Sequence, residues 1–337
     1  MKLNKKVRNR ILAEFHQFNN SRYKHSTEPL CSCGKCVIIE RNEVKKDIYI
    51  LYSKGTKDLA SIQMRLPQVA QYLLFYNPAI KIVLMSSRHS NLLSLKNKIV
   101  ILTKFTADTI SDSDLQMLIR RDNYVIVDPI DNSFNVNKFR EAHVVLASSI
   151  SQEKYFNETC SGKVKLIYHS SDLRLDGINS QKKYFSIGYF GNLHRIPAEL
   201  LGISDLAIIK TPLSYEPKRQ LPRYAKEMYK HPAHLVAGTL MPEFIFKPFT
   251  KGIIAEHVGS ISLISKNDKE GILLLGQNYP YIAENNAKYS IIEMIEYMQV
   301  SFGSTEWVLA RELHKILRPH TCKYFVTMSW QSLLNSI

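Results

Sequence analysis

Residues 184–197, YFSIGYFGNLHRIP, run from an apolar segment through a glycine turn to the basic side chain of Arg195. Glycine at such a turn, here Gly191 followed by Asn192, lets the backbone approach a ligand without interference from a Cβ atom. A helix that begins after the turn offers free N–H groups to an anion. The pattern therefore predicts a strand that leads into a phosphate-facing turn. Because the spacing differs from G-x-G-x-x-G, a plain connection between two elements is the alternative interpretation.

The size and composition of the chain indicate a globular protein with more than one domain. Its 337 residues are enough for two domains of ordinary size, and 45% of them are hydrophobic and 22% charged. No apolar run approaches the roughly 18 to 20 residues that cross a bilayer. The basic start, MKLNKKVRNR, is not followed by an apolar core and a cleavage site. We therefore expect a cytoplasmic protein, either soluble or peripheral on the inner membrane face.

The net charge is the strongest compositional signal. A formal charge of +15 exceeds what solubility requires and favours an anionic partner. Phosphate groups of nucleotide ligands, nucleic acids or anionic lipids would all satisfy it. In residues 1–36, apolar side chains recur at helical spacing with basic side chains between them, as in Leu3, Val7, Ile11 and Phe15. This basic amphipathic helix would lie either on a membrane surface or on the core of the protein itself.

The cysteines raise the question of a metal site. Five cysteines without an export signal favour reduced thiols. Cys31, Cys33 and Cys36 in CSCGKC, together with His25, could supply four tetrahedral zinc ligands. The sequence lacks a second pair at finger-like spacing. Free thiols in a loop are therefore the favoured interpretation, and we expect no metal.

Residues 37–175 alternate short β-rich runs with amphipathic helical stretches. The predicted strands are residues 37–39, 48–52, 80–85, 99–102, 124–127, 144–147 and 164–168. The predicted helices are residues 59–75, 112–121 and 150–159. Buried strands separated by helices predict an α/β fold, with a mostly parallel sheet and helices on both faces.

Polar side chains occupy several of the predicted strand ends. They are Asp128, Asp131 and Asn132 in VDPIDN, Ser148 and Ser149, and His169, Asp172 and Arg174 in YHSSDLR. The ligand crevice of an open parallel sheet lies at the carboxyl ends of its strands. We therefore expect these side chains to line a crevice.

A second α/β region follows a polar, turn-rich segment at residues 176–183, DGINSQKK, which we interpret as an interdomain linker. After it, strands are predicted at residues 206–210, 234–238 and 261–265, with a helix at 220–229. The tail is strongly helical, and its expected buried face consists of Trp307, Leu309, Leu313 and Leu317. The predicted division of the chain is 1–36, 37–175, 176–183, 184–285 and 286–337.

The segment KPFTKGIIAEHVGSISLIS, residues 247–265, predicts a helix followed by a buried strand. Thr250 is placed to cap the helix, Lys251 falls in its first turn, and Gly259 ends it. A cation at a helix N-terminus is unfavourable unless an anion is also bound there. Lys251 therefore indicates bound phosphate, with plain surface solvation as the alternative.

Taken in order, IGYFGNL, HLVAG, KPFTKGIIAEHVGSISLIS and LLLGQNYPY resemble the nucleotide-sugar domain of two-Rossmann, or GT-B, glycosyltransferases of the bacterial polysaccharide and lipopolysaccharide type. The resemblance covers residues 184–281 in motif and the whole chain in domain plan. It implies two Rossmann-like domains that face each other across a cleft, with C-terminal helices. It also implies a metal-independent enzyme, without a cofactor, that moves a sugar from a nucleotide-sugar to a glycan or lipid-linked glycan acceptor in cell-surface polysaccharide synthesis.

The family pattern, carried onto this sequence, implies a set of residues around the donor diphosphate. They are Gly191, Asn192, Arg195, Lys210, Thr250 and Lys251. The Glu that many members place at the ribose corresponds to Ile254, with Glu256 two positions later as the candidate here. The paired glutamates of many retaining members are absent, because Glu243 is followed at that distance by Lys251. Ribose recognition and stereochemistry therefore stay open.

Sugar transfer makes two chemical demands. The departing phosphate must be stabilised and, in an inverting enzyme, a base must deprotonate the acceptor hydroxyl. The first role falls to Arg195, Lys251 and backbone N–H groups. For the second role, the candidates in the N-terminal domain are Asp131, Asp128 and His169. A strand-end turn and a structural histidine are the alternative interpretations.

A metal-dependent route would use the DSD sequence at residues 112–114, which is similar to the Asp-x-Asp motif of the other large glycosyltransferase fold. This sequence stands where a helix cap is expected, and the second sheet argues against that fold. We therefore favour capping.

Two other functions fit part of the sequence. A nucleotide-sugar epimerase of the same fold would need acid and base groups on both sides of the sugar instead of an acceptor site. A nucleic-acid-binding protein would fit the charge and the 18 tyrosines, but Lys and Arg are spread along the chain without a basic arm. We therefore expect a nucleotide-sugar, a glycan or lipid-linked acceptor and an anionic membrane surface as partners, and no nucleic acid.

Overall fold

The computed structural model describes residues 46–77, 79–131, 136–160, 163–175, 184–211, 224–236 and 246–337. Several sequence-based predictions lie outside these residues. They are the basic N-terminal helix, the group of Cys31, Cys33, Cys36 and His25, the strand at 37–39, Asn132 and the linker at 176–183. For Arg195 the backbone is described, whereas its side chain lies outside the description.

Within the described residues, the first sheet has six parallel strands in the order β2-β1-β3-β4-β5-β6. They are β1 (Ile48–Tyr52), β2 (Ile82–Ser86), β3 (Ile99–Thr103), β4 (Tyr124–Asp128), β5 (Val144–Ala147) and β6 (Lys163–Leu166). All residues of β3 and β5 are buried, as expected for aliphatic strands covered by helices on both faces. The register pairs Thr103 with Asp128, so the strand ends lie side by side at one edge.

Six helices of this part of the chain accompany the first sheet. They are α1 (Ala60–Arg65), α2 (Ala70–Tyr76), α3 (His89–Leu92), α4 (Lys104–Thr109), α5 (Asp112–Arg120) and α6 (Ile150–Thr159). The prediction of a single helix over residues 59–75 was wrong, because α1 and α2 are separate helices. Pro67 lies between them. Proline lacks an N–H group and disfavours helical geometry in the preceding residue, so the break has a local cause.

The second sheet, again within the described residues, has the order β11-β10-β9-β7-β8. Its strands are β7 (Ile187–Gly191), β8 (Leu206–Lys210), β9 (Ala233–Leu235), β10 (Ile261–Ser265) and β11 (Ile282–Ala283). The helices between them are α7 (Ala225–Met228), α8 (Thr250–His257) and α9 (Lys269–Leu275). The observed strand pairs are parallel, which confirms the predicted second α/β unit. The bounds of β8 and β10 agree with the prediction.

The C-terminal helices are α10 (Lys288–Val300), α11 (Thr305–Lys315), α12 (Arg318–Thr321) and α13 (Lys323–Asn335). Trp307 and Leu317 are buried in the core of the second sheet, as predicted. Leu309 is 46% exposed, so its assignment to the buried face was wrong. Two residues along a helix correspond to a rotation of about 200°, which turns Leu309 away from the side that Trp307 faces.

Helix α13 returns to the first sheet. Its residues Val326 and Trp330 share a buried cluster with Leu66, Val69 and Leu73 from the α1–α2 region. The end of the chain thus covers one face of the sheet that its beginning forms. In the part of the chain that the structure describes, no helix has both the length and the apolar character needed to span a bilayer.

Arg65, at the end of α1, is a buried cation that joins three elements. Its Nε donates to Asp128 Oδ2 at 2.8 Å, and its Nη1 donates to the carbonyls of Ile167 and, at 3.0 Å, Tyr168. Its guanidinium carbon lies 5.7 Å from the ring centroid of Trp330. Both side chains of the Arg65–Asp128 pair are 1% exposed. Removing one partner would leave the other charge buried and uncompensated.

We predict that Arg65→Met lowers the free energy of unfolding by about 3–5 kcal/mol, because it leaves the Asp128 carboxylate without its counter-ion. The double variant Arg65→Met, Asp128→Leu should lose less than the sum of the single losses, since it removes both charges. Urea unfolding of the four proteins measures this coupling.

The matched control for this cycle is Lys98→Met. Lys98 pairs with Asp47 at 3.1 Å near the surface of the same sheet. Exposed pairs are worth at most about 1 kcal/mol. Equal losses for Arg65→Met and Lys98→Met would contradict the anchoring role of Arg65.

Two buried histidines make the stability of the second sheet depend on pH. Burial lowers the pKa of His234 from 6.5 to about 3, and burial together with His234 lowers the pKa of His314 to about 3. Between pH 3 and pH 6.5 the unfolded chain therefore binds more protons than the folded protein. Stability is unaffected by these groups above pH 6.5 and falls as the pH drops below it.

We predict that His234→Phe removes part of this acid sensitivity while it keeps an aromatic ring beside Phe190, 4.5 Å away between centroids. Between pH 6.5 and pH 5, each buried histidine should cost the wild type about 2 kcal/mol. Unfolding curves at the two pH values measure the difference. A His320→Phe control removes an exposed ring, and an identical pH response in His234→Phe and wild type would refute the assignment.

Candidate active site between the two sheets

The carboxyl end of β7 forms a compact turn. The buried Tyr189 hydroxyl donates to the carbonyl of Asn192 at 3.1 Å, and the Asn192 side chain accepts from the N–H of His194 at 3.1 Å. A Cβ atom at Gly191 would lie 2.7 Å from the Tyr189 hydroxyl oxygen. Any larger residue here would force the buried tyrosine ring, which folds back under the turn, to move. The predicted strand and glycine turn are therefore both present.

Lys251 lies in the first turn of α8, as predicted, and reaches this same turn. Its ammonium is 3.9 Å from the centroid of the Tyr189 ring. A tyrosine ring face attracts a cation, which offsets part of the unfavourable position of lysine at a helix N-terminus. Two segments that lie far apart in sequence, around Gly191 and around Lys251, are thus brought together by Tyr189.

Lys210 ends β8, the strand next to β7. The register pairs it with Gly191, and the N–H of Thr211 donates to the Gly191 carbonyl at 3.1 Å. Lys210 is exposed. The backbone of Arg195 belongs to the 3₁₀ turn Leu193–Arg195 that follows Asn192. Gly191, Asn192, Lys210 and the backbone of Arg195 therefore lie at one edge of the second sheet.

Thr250 does not cap α8, contrary to the prediction. The capping position is held by Phe249 without a side-chain bond, and Thr250 is the first helical residue. Its hydroxyl instead points to the Pro248 carbonyl at 3.5 Å. The reason is the geometry of Phe249, whose backbone turns the chain one residue earlier than the sequence pattern indicates.

Phe249 fixes α8 against α9. A Cβ atom at Gly252 would lie 1.9 Å from the Phe249 ring, and one at Gly271 would lie 2.8 Å from it. The ring therefore occupies space that only two glycines leave open, one in the first turn of each helix. Glycine in KPFTKG is required for packing, and it holds Lys251 in place relative to α9.

Asp268 caps α9 close to Lys247 and Lys251. Its side chain accepts from the N–H of Gly271 at 2.9 Å. Burial, with a smaller contribution from Glu270, raises the pKa of Asp268 from 3.8 to about 6, although the hydrogen bond from Gly271 and the charges of Lys247 and Lys251 oppose the shift. An electrostatic cluster of two carboxylates and two ammonium groups thus surrounds the start of α9.

Glu256, the candidate for the ribose, is engaged by a C-terminal helix. Its Oε1 accepts from Arg318 Nε at 2.8 Å, and the glutamate side chain is 5% exposed. Burial raises the pKa of Glu256, and the charges of Arg318 and His257 counteract that effect. The carboxylate lies at the other end of α8 from Lys251.

Of the three candidate bases on the first sheet, Asp128 and His169 are buried. Asp128 is the counter-ion of Arg65 described above. His169 is 2% exposed, and its Nδ1–H donates to the Ser170 carbonyl at 3.0 Å. Burial lowers the pKa of His169, and the Arg65 guanidinium lowers it further. Both side chains thus have structural partners.

Asp131 is the accessible carboxylate of the three. It forms an ion pair with Lys104 at 2.7 Å, and the two side chains are 18% and 12% exposed. The backbone on both sides of this pair is unusual, with φ of 62° at Ile130 and 35° at Lys104. Non-glycine residues rarely adopt such angles, and such strain is concentrated at functional sites. The Ser148 hydroxyl donates to the Ile130 carbonyl and holds this turn.

Residues after β6 connect the two sheets. Asp172 accepts from Gln68 at 2.7 Å, from Arg174 at 2.6 Å and from the Tyr224 hydroxyl at 3.0 Å. Ser171 Oγ and His257 Nδ1 are 3.0 Å apart. Asp172 and Arg174, which the sequence placed at the crevice, are therefore partners of each other.

The predicted helix cap at residues 111–114 has the expected geometry. Ser111 Oγ accepts from the N–H of Asp114 at 3.1 Å, and Asp114 Oδ1 lies 2.5 Å from His89 Nδ1. Across the described ranges there is no cluster of three or more His, Cys, Asp or Glu side chains that could hold a metal ion.

The carboxyl edges of the sheets face each other. Ser149, directly after β5, donates its hydroxyl to the Phe246 carbonyl at 3.1 Å, and Ser171 contacts His257 as described. Sequence reasoning missed Arg65, Lys104 and Glu270. Arg65 lies inside a predicted helix and Glu270 lies in a stretch where no element was predicted, and the partners of both are far away in sequence.

Solved structures share this arrangement. The chain is similar to a sucrose-phosphate synthase from Thermosynechococcus elongatus, with 10% identity over 87% of this chain and 99% of the other, and a TM-score of 0.60. A glycosyltransferase from Rickettsia africae gives 10% identity, 87% and 98% coverage and a TM-score of 0.57. An E. coli trehalose-6-phosphate structure bound with UDP-2-fluoro glucose gives 8% identity, 80% and 78% coverage and a TM-score of 0.50.

The likeness to known proteins is seen in the structure and not in the sequence. No protein-family model matches the chain, and no curated protein matches it. At identities of 8% to 10%, likeness of structure establishes the fold. Two parallel Rossmann-like sheets with facing carboxyl edges and C-terminal helices define it, and the chain therefore has the two-Rossmann GT-B fold.

Proposed function

We propose that this protein is a glycosyltransferase that moves a sugar from a nucleotide-sugar donor to an acceptor. The observation that carries the proposal is the assembly of Lys251, Tyr189 and the Gly191–Asn192 turn at the edge of the second sheet, in a GT-B fold. Cations and backbone N–H groups at that edge suit the charge that develops on a departing phosphate. We assign residues 184–285 to the donor domain and residues 37–175 to the acceptor domain.

The proposed donor site uses the cations of this edge. Lys251, Lys210 and Arg195 would neutralise the diphosphate, which makes the reaction metal-independent in this proposal. Glu256 stays the proposed ribose contact of the sequence pattern, although reaching a ligand would require it to leave Arg318. The UDP-sugar bound by the E. coli relative makes UDP-sugars the first donors to test.

The proposed acceptor is anionic, in keeping with the formal charge of +15. The relatives named as sucrose-phosphate and trehalose-6-phosphate proteins favour a sugar phosphate. A lipid-linked glycan of cell-surface polysaccharide synthesis, reached from the inner membrane face, is the alternative that the sequence motifs favour. Assays with a hexose phosphate and with a lipid-linked glycan discriminate the two.

On the acceptor side, we assign the base to Asp131. Asp128 is committed to Arg65, and His169 is 2% exposed and bonded to Ser170, so a substrate would reach Asp131 most directly. In an inverting transfer, its carboxylate would take the proton of the acceptor hydroxyl as the sugar–phosphate bond breaks.

We predict that Lys251→Ala weakens UDP-sugar binding about 10- to 100-fold, because it removes a charged partner of the phosphate. Lys251→Arg should retain most of the affinity. Calorimetry and thermal shift measure the change, since a bound ligand raises the melting temperature. Lys315→Ala, which removes an exposed lysine paired with Glu312 on α11, is the matched control. Equal donor affinity in Lys251→Ala and the control would refute the donor site.

We predict that Asp131→Asn lowers kcat by about 10²- to 10⁴-fold while donor affinity stays unchanged, because the amide cannot accept the proton. Rates and donor affinity are measured on the same preparation. Asp112→Asn, on the exposed start of α5, should keep the wild-type rate. A wild-type kcat in Asp131→Asn would exclude it as the base.

A further inference from the structure

Glu270, in the first turn of α9, reaches across the cleft to the first turn of α6. Its carboxylate accepts from the N–H groups of Ile150 at 2.8 Å and Ser151 at 3.1 Å. It also accepts from the Ser151 hydroxyl at 2.6 Å. Glu270 is 4% exposed, so its charge is withdrawn from solvent and relies on these three donors.

The start of α6 is well suited to hold a carboxylate. The first N–H groups of a helix have no partner within it, and the helix dipole places partial positive charge there. Ser149 satisfies one of them, because its side chain accepts from the N–H of Gln152 at 3.2 Å. Glu270 satisfies the two before it from the opposite sheet. The cap of α6 is therefore completed only when the two sheets are together.

We call the contact between the Glu270 carboxylate and the start of α6 the clasp. Two further contacts lie beside it. The rings of Tyr155, on α6, and Phe246 stack with centroids 4.6 Å apart at 27°. Ser149 donates its hydroxyl to the Phe246 carbonyl at 3.1 Å. The first half of α6 is thus held against the segment that leads into α8.

The clasp is mechanically connected to the proposed donor site. The Phe249 ring fits between Gly252 and Gly271, so the first turns of α8 and α9 move together. Lys251 lies in one of these turns and Glu270 in the other. Any displacement of Glu270 from α6 therefore changes where Lys251 stands relative to the first sheet.

We infer that Glu270 is a positioning residue that holds the two sheets at the spacing that sugar transfer needs. Its carboxylate binds the start of α6, and through Phe249 this contact sets the distance between Lys251 and the acceptor edge. The inference rests on the proposed function for its catalytic consequence. The contact itself is independent of that function.

The test compares Glu270→Ala and Glu270→Gln with the control Glu284→Ala, which removes an exposed carboxylate paired with Lys266. In Glu270→Ala we expect a larger radius of gyration by small-angle X-ray scattering. We also expect a kcat lower by about tenfold or more, within the range of coupling between sites, while KM for the donor changes less. Glu270→Gln, which keeps one acceptor oxygen, should fall between Glu270→Ala and wild type.

Added formate tests whether the effects in Glu270→Ala come from the missing carboxylate. Formate can enter the space of the missing carboxylate and accept from Ile150 and Ser151, so it should restore compactness and rate in Glu270→Ala. It should leave wild type and Glu284→Ala unchanged. A wild-type radius of gyration and rate in Glu270→Ala would overturn the inference, as would losses that formate does not reverse.

Ser151→Ala covers the case in which Glu270→Ala does not fold. It removes only the 2.6 Å bond, and we expect a smaller change in the same direction. Wild-type scattering and rate in this variant would count against the clasp. If the wild type binds no UDP-sugar and transfers none, the proposed function fails, while the scattering and formate measurements still decide whether Glu270 holds the sheets together.

Discussion

The buried pair of Arg65 and Asp128 is the interaction on which the carboxyl edge of the first sheet depends. A charge withdrawn from solvent must have its partner in place, so the pair fixes the end of β4 relative to α1. The same guanidinium holds the carbonyls that follow β6 and lies over Trp330, which brings in the last helix. The positions of Asp131 and His169, each a few residues beyond these strand ends, follow from it.

A steric constraint plays the equivalent part at the carboxyl edge of the second sheet. Phe249 fills the space left by the absent side chains of Gly252 and Gly271, and this packing joins the helix of Lys251 to the helix of Glu270. One helix presents a cation to the glycine turn of β7, and the other reaches the opposite sheet. The proposed donor edge and the contact between the two sheets are therefore parts of one rigid unit.

Much of the candidate site follows from local sequence, and the exceptions have identifiable causes. The glycine turn at Gly191 and the placement of Lys251 in a first helical turn depend on residues within a few positions, and both predictions hold. Thr250 was wrongly expected to cap the helix, because the backbone of Phe249 starts it one residue earlier. Leu309 was wrongly assigned to the buried face. It follows Trp307 by two positions, and a rotation of about 200° turns it to the opposite side of the helix.

The sequence by itself determined two parallel sheets, the strand-end edge that carries the candidate site, and the placement of Lys251 in the first turn of a helix at that edge, because strand and helix periodicity and glycine turns are local properties. Only the tertiary structure decided which partner each charged side chain binds. Arg65 meets Asp128 across 63 positions, and Glu270 meets Ile150 across 120. Such partners depend on strand order and on the packing of one sheet against the other, and no pattern within a few residues of the chain encodes them.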